Sequence, residues 1–179
     1  MRKTIPTVAL LAAAAVLLPC LAPAGTAPAE VGAFSIVNSV TLPCSPREAY
    51  DAMTGDISGW WDHHSSAEPT ALLIEPRPGG GFWERFGKGD DGVRHAVVIH
   101  AERGVRLTME GPLGLSGFAI TMATTYEYSA VDNGTKVTVT ANLAGQIEPG
   151  WDEAVDRTWR HFLNDRLLPY VMNGFIPLD

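Results

Sequence analysis

Glu84 and His95 lie on either side of a polar, glycine-rich stretch, Gly87 to Gly92, that reads as a hairpin loop. If Gly87 faces Gly92 across the turn, Glu84 stands opposite His95, Phe82 opposite Val97 and Phe86 opposite Val93, all on one face. The other face carries Trp83, Arg85, Arg94 and Ala96, whose like charges favour water. The Glu84/His95 face is therefore expected inside, although a one-residue slip would reverse the assignment. A carboxylate beside an imidazole in apolar surroundings can act as a general acid/base pair. It can equally hold the polar end of a ligand, or be a satisfied buried pair that fixes register. All three readings fit these residues.

Other reactive side chains are less well placed. Asp62-His63-His64 is a tempting metal triplet, but adjacent histidines point apart and no H-x-x-x-H or C-x-x-C follows. His95 and His100 are five apart on one strand and face opposite sides, and His161 falls on a helix. No metal and no cofactor is expected. Ser116 lies in Gly114-Leu115-Ser116-Gly117, not in a G-x-S-x-G elbow. Gly79-Gly80-Gly81 lacks the Gly-Lys-Ser/Thr of a phosphate loop, and Cys44 has no neighbouring base. Asn133-Gly134-Thr135 matches a glycosylation pattern that a hairpin turn also explains. Trp60, Trp61, Trp83, Met109, Trp159 and Phe162 can line a pocket for an apolar or aromatic ligand, or form ordinary core. With the hairpin face added, the candidate ligand-binding set is Trp60, Trp61, Phe82, Glu84, Phe86, His95, Val97, Met109, Trp159 and Phe162.

The elements that position these residues follow from pattern. Phe34 to Leu42 mostly alternates apolar with polar, as a half-buried strand does. Ser45-Pro46-Arg47-Glu48 is a helix start, with Ser as N-cap, Pro at the first position and Glu at the third. A second short helix is expected to carry Ile57, Trp60 and Trp61. Strands are then expected at Ala71 to Ile74, Gly79 to Phe86, Arg94 to Ala101, Val105 to Glu110, Phe118 to Ala130 and Lys136 to Leu143. Asp132-Asn133-Gly134 is a turn. From about Gly150 to Asn173, Trp151, Val155, Trp159, Phe162, Leu163 and Tyr170 recur at helical spacing. Asp152 and Glu153 suit its first turn, Gly174 its end, and Pro169 is expected to kink the last turn. Short turns between consecutive strands imply an antiparallel sheet, and a sheet that long curls. The long aromatic helix is the element available to cover its concave face.

The 179 residues suffice for one domain, and 46% hydrophobic against 18% charged residues is a packed globular composition. A net charge of -7 without a basic run argues against nucleic acid as a partner. Arg2-Lys3, the apolar stretch Val8 to Leu18 and Ala22-Pro23-Ala24 form the three-part pattern of a secretory signal. Residues 1–24 are read as that signal, 25–33 as a linker and 34–179 as the domain. Cleavage would leave 11 of the 13 basic residues against 20 acids, and Cys44 as the sole cysteine. A periplasmic or secreted protein, with no stable membrane insertion after cleavage, is the expectation.

Taken in order, Ser45-Pro46-Arg47-Glu48-Ala49-Tyr50, Trp60-Trp61, Glu75-Pro76-Arg77-Pro78-Gly79-Gly80-Gly81-Phe82-Trp83-Glu84, Val97, Gly111-Pro112-Leu113-Gly114, Gly134-Thr135-Lys136-Val137 and the C-terminal helix resemble the START and polyketide-cyclase-like (SRPBCC) superfamily. The branch is the one similar to activator of heat-shock protein 90 ATPase homologues, and the resemblance spans about residues 34 to 173. It implies an α+β helix-grip fold: a curved antiparallel sheet wrapped around a long C-terminal helix, with two short helices after the first strand and a hydrophobic cavity between. It implies no single reaction. Three functions follow as expectations: an exported binder of a small hydrophobic or aromatic molecule, a cyclase- or hydrolase-like enzyme using Glu84 and His95, or a co-chaperone-like module with an unknown protein partner.

Overall fold

The computed structural model describes residues 30–174. Residues 1–24, read from sequence as a secretory signal, and residues 25–29 of the expected linker lie outside the described residues. The first strand, β1 (Gly32–Leu42), starts two residues before the expected Phe34. Helix α1 (Pro46–Ala52) follows, and its start is the capping box read from sequence. Ser45 Oγ accepts from the Glu48 N–H at 3.4 Å, and Glu48 Oε2 accepts from the Ser45 N–H at 2.8 Å.

The second short helix does not form. Gly55–Asp56 is instead a two-residue strand, β2, and Ile57 N–H bonds the carbonyl of Leu72. Gly55, at φ +70°, keeps α1 from running on, and the pairing with Pro69–Ile74 takes the N–H groups that a following helix would need. Only a single turn remains, with the N–H groups of Trp60 and Trp61 both reaching the Ile57 carbonyl. Six strands follow: β3 (Pro69–Ile74), β4 (Gly81–Phe86), β5 (Gly92–Glu102), β6 (Arg106–Glu110), β7 (Ile120–Val131) and β8 (Gly134–Gly145). They form one antiparallel eight-stranded sheet in the order β1-β8-β7-β6-β5-β4-β3-β2. The β7–β8 turn is the expected one, with Val131 paired to Gly134. A side chain at Gly134 would meet the Leu42 carbonyl at 2.0 Å, so this turn needs glycine to let β1 end beside it.

The sheet curves, and β5 contributes an irregularity at two points, between Arg94 and Ala96 and between Val98 and His100. The concave face is covered by a C-terminal helix of 22 residues. It runs as α2 (Trp151–Arg160), a wide π turn (His161–Leu167) and α3 (Leu168–Met172). Pro169 lacks an N–H and its ring would strike a carbonyl four residues back. The widened turn just before it accommodates this, with Leu168 N–H reaching five residues back to the Leu163 carbonyl. Trp159, Phe162, Leu163 and Leu167 are buried against Leu107, Met109, Met122, Tyr126, Val137 and Val139 of the sheet. Among the described residues, no helix is long and apolar enough to cross a membrane.

Candidate functional site

The β4–β5 hairpin is tighter than expected. Arg85 pairs with Gly92 and Phe86 N–H bonds the Asp91 carbonyl, so Glu84 stands opposite Val93, not His95. Further along, Trp83 pairs with Arg94 and Phe82 with Ala96, leaving His95 as the extra residue of a bulge. The bulge turns His95 inward, and its Nε2 comes within 2.9 Å of Glu84 Oε2. The two residues meet as expected, by a different route. Beyond the bulge the register differs by one from the expected pairing. Ala96, expected outside, is buried opposite Phe82, while Val97 pairs with Gly81 on the outer face, half-buried. Trp83 also faces outward, with the guanidinium groups of Arg85 and Arg94 at 4.6 and 5.6 Å from its ring.

Glu84 is 0% and His95 4% exposed, and their hydrogen-bonding atoms are occupied. Glu84 accepts from the Ser65 N–H at 2.9 and 2.8 Å, the Ser66 N–H at 2.8 Å, and His95. Burial pushes its pKa up, but the hydrogen bonds from Ser65, Ser66 and His95 more than offset that and hold it below the usual range. His95 Nδ1 lies 3.3 Å from the Leu113 carbonyl. The pair thus ties the segment after Trp60-Trp61 to the loop Gly111 to Gly117. That loop is tightly seated. Leu113 adopts φ +49°, and a side chain at Gly111 would meet the His95 carbonyl at 2.3 Å.

Residues of the Gly111 to Gly117 loop and residues just before Ser65 line a cavity of about 270 Å³. Trp61 and His63 form one wall, and Pro112, Leu113, Gly114 and Leu115 the other. Met122 of β7 contributes, and the helix supplies Trp151, Ala154, Val155, Thr158, Trp159 and Phe162 along one face. Trp61 stacks on Phe162 at 4.1 Å and meets Trp159 edge-on at 6.0 Å. Of the ten candidate ligand-binding residues, Trp61, Trp159 and Phe162 line this cavity. Trp60, Phe82 and Met109 are core, Phe86 is half-buried near the hairpin, and Glu84 and His95 brace the walls from behind. The wall from Pro112 to Leu115 was not foreseen, because its Gly and Pro residues signal only a break in pattern. A wider, open groove of about 800 Å³ at the end of β1 is lined by Val31, Gly32, Ala33, Ala119, Ile120, Thr121, Ala144 and Gly145, none of them titratable.

At the cavity's edge a polar cluster forms around Asp62. Its Oδ1 lies 3.0 Å from His63 Nδ1, and its Oδ2 lies 2.8 Å from His161 Nε2 and 3.2 Å from Arg166 Nε. His161 Nδ1 reaches Asp165 at 3.1 Å. The hydrogen bonds that His161 donates to Asp62 and Asp165 raise its pKa. Burial pushes the Asp62 carboxyl up, but the His161 and His63 hydrogen bonds and the His161 and Arg166 charges prevail and lower it. Among the described residues, no group of three or more His, Cys, Asp or Glu is placed to hold a metal ion. Cys44 is half-buried, and burial followed by the Glu48 charge pushes its thiol up to about 11, which leaves it a poor nucleophile near neutral pH.

The chain matches no family model, and no curated protein matches it. Solved structures share its fold. An uncharacterised protein from Rhizobium leguminosarum superposes with a TM-score of 0.61 at 16% identity, covering 83% of this chain and 100% of that one. A protein of unknown function from Staphylococcus aureus gives 0.60 at 11% identity, covering 81% and 97%. A protein from Mesorhizobium loti gives 0.57 at 15% identity, covering 80% and 100%. At these identities the likeness is one of fold: an α+β chain with a curved antiparallel sheet closed by a C-terminal helix.

Proposed function

We propose that this is an exported helix-grip protein of the SRPBCC type that binds a small hydrophobic or aromatic molecule, in the periplasm or after secretion. The observation that carries the reading is the cavity of about 270 Å³ between the C-terminal helix and the Gly111 to Gly117 loop. Four aromatic side chains, Trp61, Trp151, Trp159 and Phe162, line it. Its size lies just below the roughly 300–1,000 Å³ usual for ligand sites, which favours a compact occupant. Large aromatic walls supply most of the binding energy for such a molecule through apolar burial. The hydrogen bonding around Glu84 and His95 supports a positioning role for them, since their acceptor and donor atoms are already engaged by Ser65, Ser66 and Leu113.

Native mass spectrometry of the protein purified from its own host tests this. An adduct that disappears on denaturation is expected, and Ala154→Trp, which fills the cavity, is expected to abolish it. A clean apo mass, with no thermal shift from a library of lipids and aromatics, would sink the reading.

A further inference from the structure

The five tryptophans divide by where their indole N–H groups go. Trp60 donates to the Ala52 carbonyl at 2.9 Å, Trp61 to the His63 carbonyl at 2.8 Å and Trp83 to Glu75 at 3.1 Å. Trp151 and Trp159, both on the cavity face of the C-terminal helix, have no acceptor among the described residues. Trp151 is half-buried at the start of the helix, where solvent serves its N–H. Trp159 is 2% exposed, and its rings meet those of Trp61, Phe162 and Tyr126 edge-on at 6.0, 5.7 and 5.8 Å. Among the described residues, three side-chain polar atoms are both sealed in and unbonded: Thr124 Oγ1, Tyr126 Oη and Tyr128 Oη. Trp159 Nε1 is unbonded but not sealed in, so it borders open space, and the open space that Trp159 lines is the cavity. An indole N–H only donates and has no second protonation state near neutral pH, so its demand is fixed: what lies against it must accept. Thr158, the preceding residue, is also unbonded, but a hydroxyl turns to either role and dictates nothing.

We propose that the cavity's occupant carries a neutral acceptor oxygen, a ketone or ether on an otherwise apolar ring, that takes the Trp159 N–H. This deepens the binding reading above and rests on it. An occupant that fills the cavity displaces water from that donor, and a plain hydrocarbon would leave it unpaired. An anion also accepts, but the lining holds no lysine, arginine or carboxylate, and its one histidine, His63, stands at the edge with its side chain 56% exposed. The cluster beyond it carries both signs, Asp62 and Asp165 against His161 and Arg166, and so favours neither. An ion among these apolar walls loses hydration that nothing there returns.

The test uses 1-tetralone and tetralin, which share a fused ring system and differ by a carbonyl in place of a methylene, titrated into the nitrogen-15-labelled protein and followed by NMR. The Trp159 indole N–H signal, identified by its ring neighbours and by its loss in Trp159→Phe, is expected to move downfield and to exchange more slowly with water on binding tetralone, and not on binding tetralin. Trp159→Phe keeps a ring in place but removes the donor. It is expected to lower the ratio of tetralone to tetralin affinity about fivefold, the weight of one net hydrogen bond, because the loss of ring area touches both probes alike. The signal in the unaltered protein decides the matter where the variant does not fold. Bound tetralone that leaves the signal unmoved, a ratio that survives Trp159→Phe, or tighter binding of 1-naphthoate than of tetralone would each overturn the inference while the cavity reading stands. Binding of neither probe would overturn both.

Discussion

His95 reaches Glu84 at 2.9 Å although the two residues are not paired in the sheet; Glu84 faces Val93, and His95 is the surplus residue of a bulge. The contact joins the Ser65–Ser66 segment to the Leu113 carbonyl, so it holds both walls of the cavity at once. Glu84→Gln replaces one acceptor oxygen by a donor that faces N–H groups. Breaking a buried pair of this kind costs about 3–5 kcal/mol, and the amide variant is expected near the lower end. The folded pKa of Glu84 is lowered, so its stabilisation is present above the unfolded carboxylate pKa, about 4.3, and is lost as pH falls through the folded value. Urea unfolding against pH is expected to show a shallower acid limb for Glu84→Gln than for the unaltered protein. A variant within about 1 kcal/mol, with the same acid limb, would refute the bracing role.

His161 has the opposite sign. The hydrogen bonds it donates to Asp62 and Asp165 raise its pKa, with Arg166 and His63 also gathered at Asp62. Its stabilisation is therefore full below the unfolded histidine pKa, about 6.5, and is lost as pH rises through the folded value. NMR titration is expected to place the His161 midpoint above the ordinary range, and Asp62→Asn to bring it down. Asp62→Asn is also expected to destabilise more at about pH 5.5 than at about pH 9, since only the charged ring profits from the carboxylate. A pH-independent penalty would mean that the Arg166 contact, not His161, is what Asp62 serves.

The Ser45 cap gives a purely local test. Its Oγ accepts from the Glu48 N–H, and Glu48 returns a bond to the Ser45 N–H. Ser45→Ala is expected to cost about 1 kcal/mol, measured by chemical denaturation. No change in ligand affinity is expected, because α1 does not line the cavity.

What could be read from sequence divides along the range of the interactions. The Ser45 cap, the Asp132 to Gly134 turn and the alternation of β7 and β8 are encoded within a few residues, and all were legible. The Glu84/His95 contact was expected from a register that the tighter hairpin does not adopt, and the bulge at His95 produces it instead. That bulge was not legible: Arg94-His95-Ala96 contains neither Gly nor Pro, and the extra residue is accepted because it aims His95 at two acceptors. The expected helix over Ile57, Trp60 and Trp61 gives way to sheet pairing: Gly55–Asp56 joins β3 and the Leu72 carbonyl takes the Ile57 N–H, a contact that no local spacing marks. The Asp62–His161 contact joins residues 99 apart, and no local pattern marks it. The π turn that carries Phe162 to the cavity arises ahead of Pro169, whose effect was expected in the last turn itself.

Tyr126 gives the sharpest packing prediction. Its ring is fully buried, 5.8 Å from that of Trp159, yet its hydroxyl has no hydrogen-bond partner among the described residues. Thr124 Oγ1 and Tyr128 Oη, on the same face of β7, share that condition. Removing a buried hydroxyl that makes no bond forfeits nothing and relieves its desolvation, which amounts to about 1–3 kcal/mol for an unsatisfied group. Tyr126→Phe is therefore expected to be neutral or stabilising, and Thr124→Val likewise. Tyr126→Ala, which removes the ring, is expected to cost about 3–5 kcal/mol. Burial also raises the pKa of both Tyr126 and Tyr128, so neither phenol is expected to ionise before the protein unfolds, a point that absorbance near 295 nm can follow. A loss of more than about 1 kcal/mol in Tyr126→Phe would mean that the hydroxyl has a partner in solution, and the face of β7 toward Trp159 would then have to be redrawn as a polar wall.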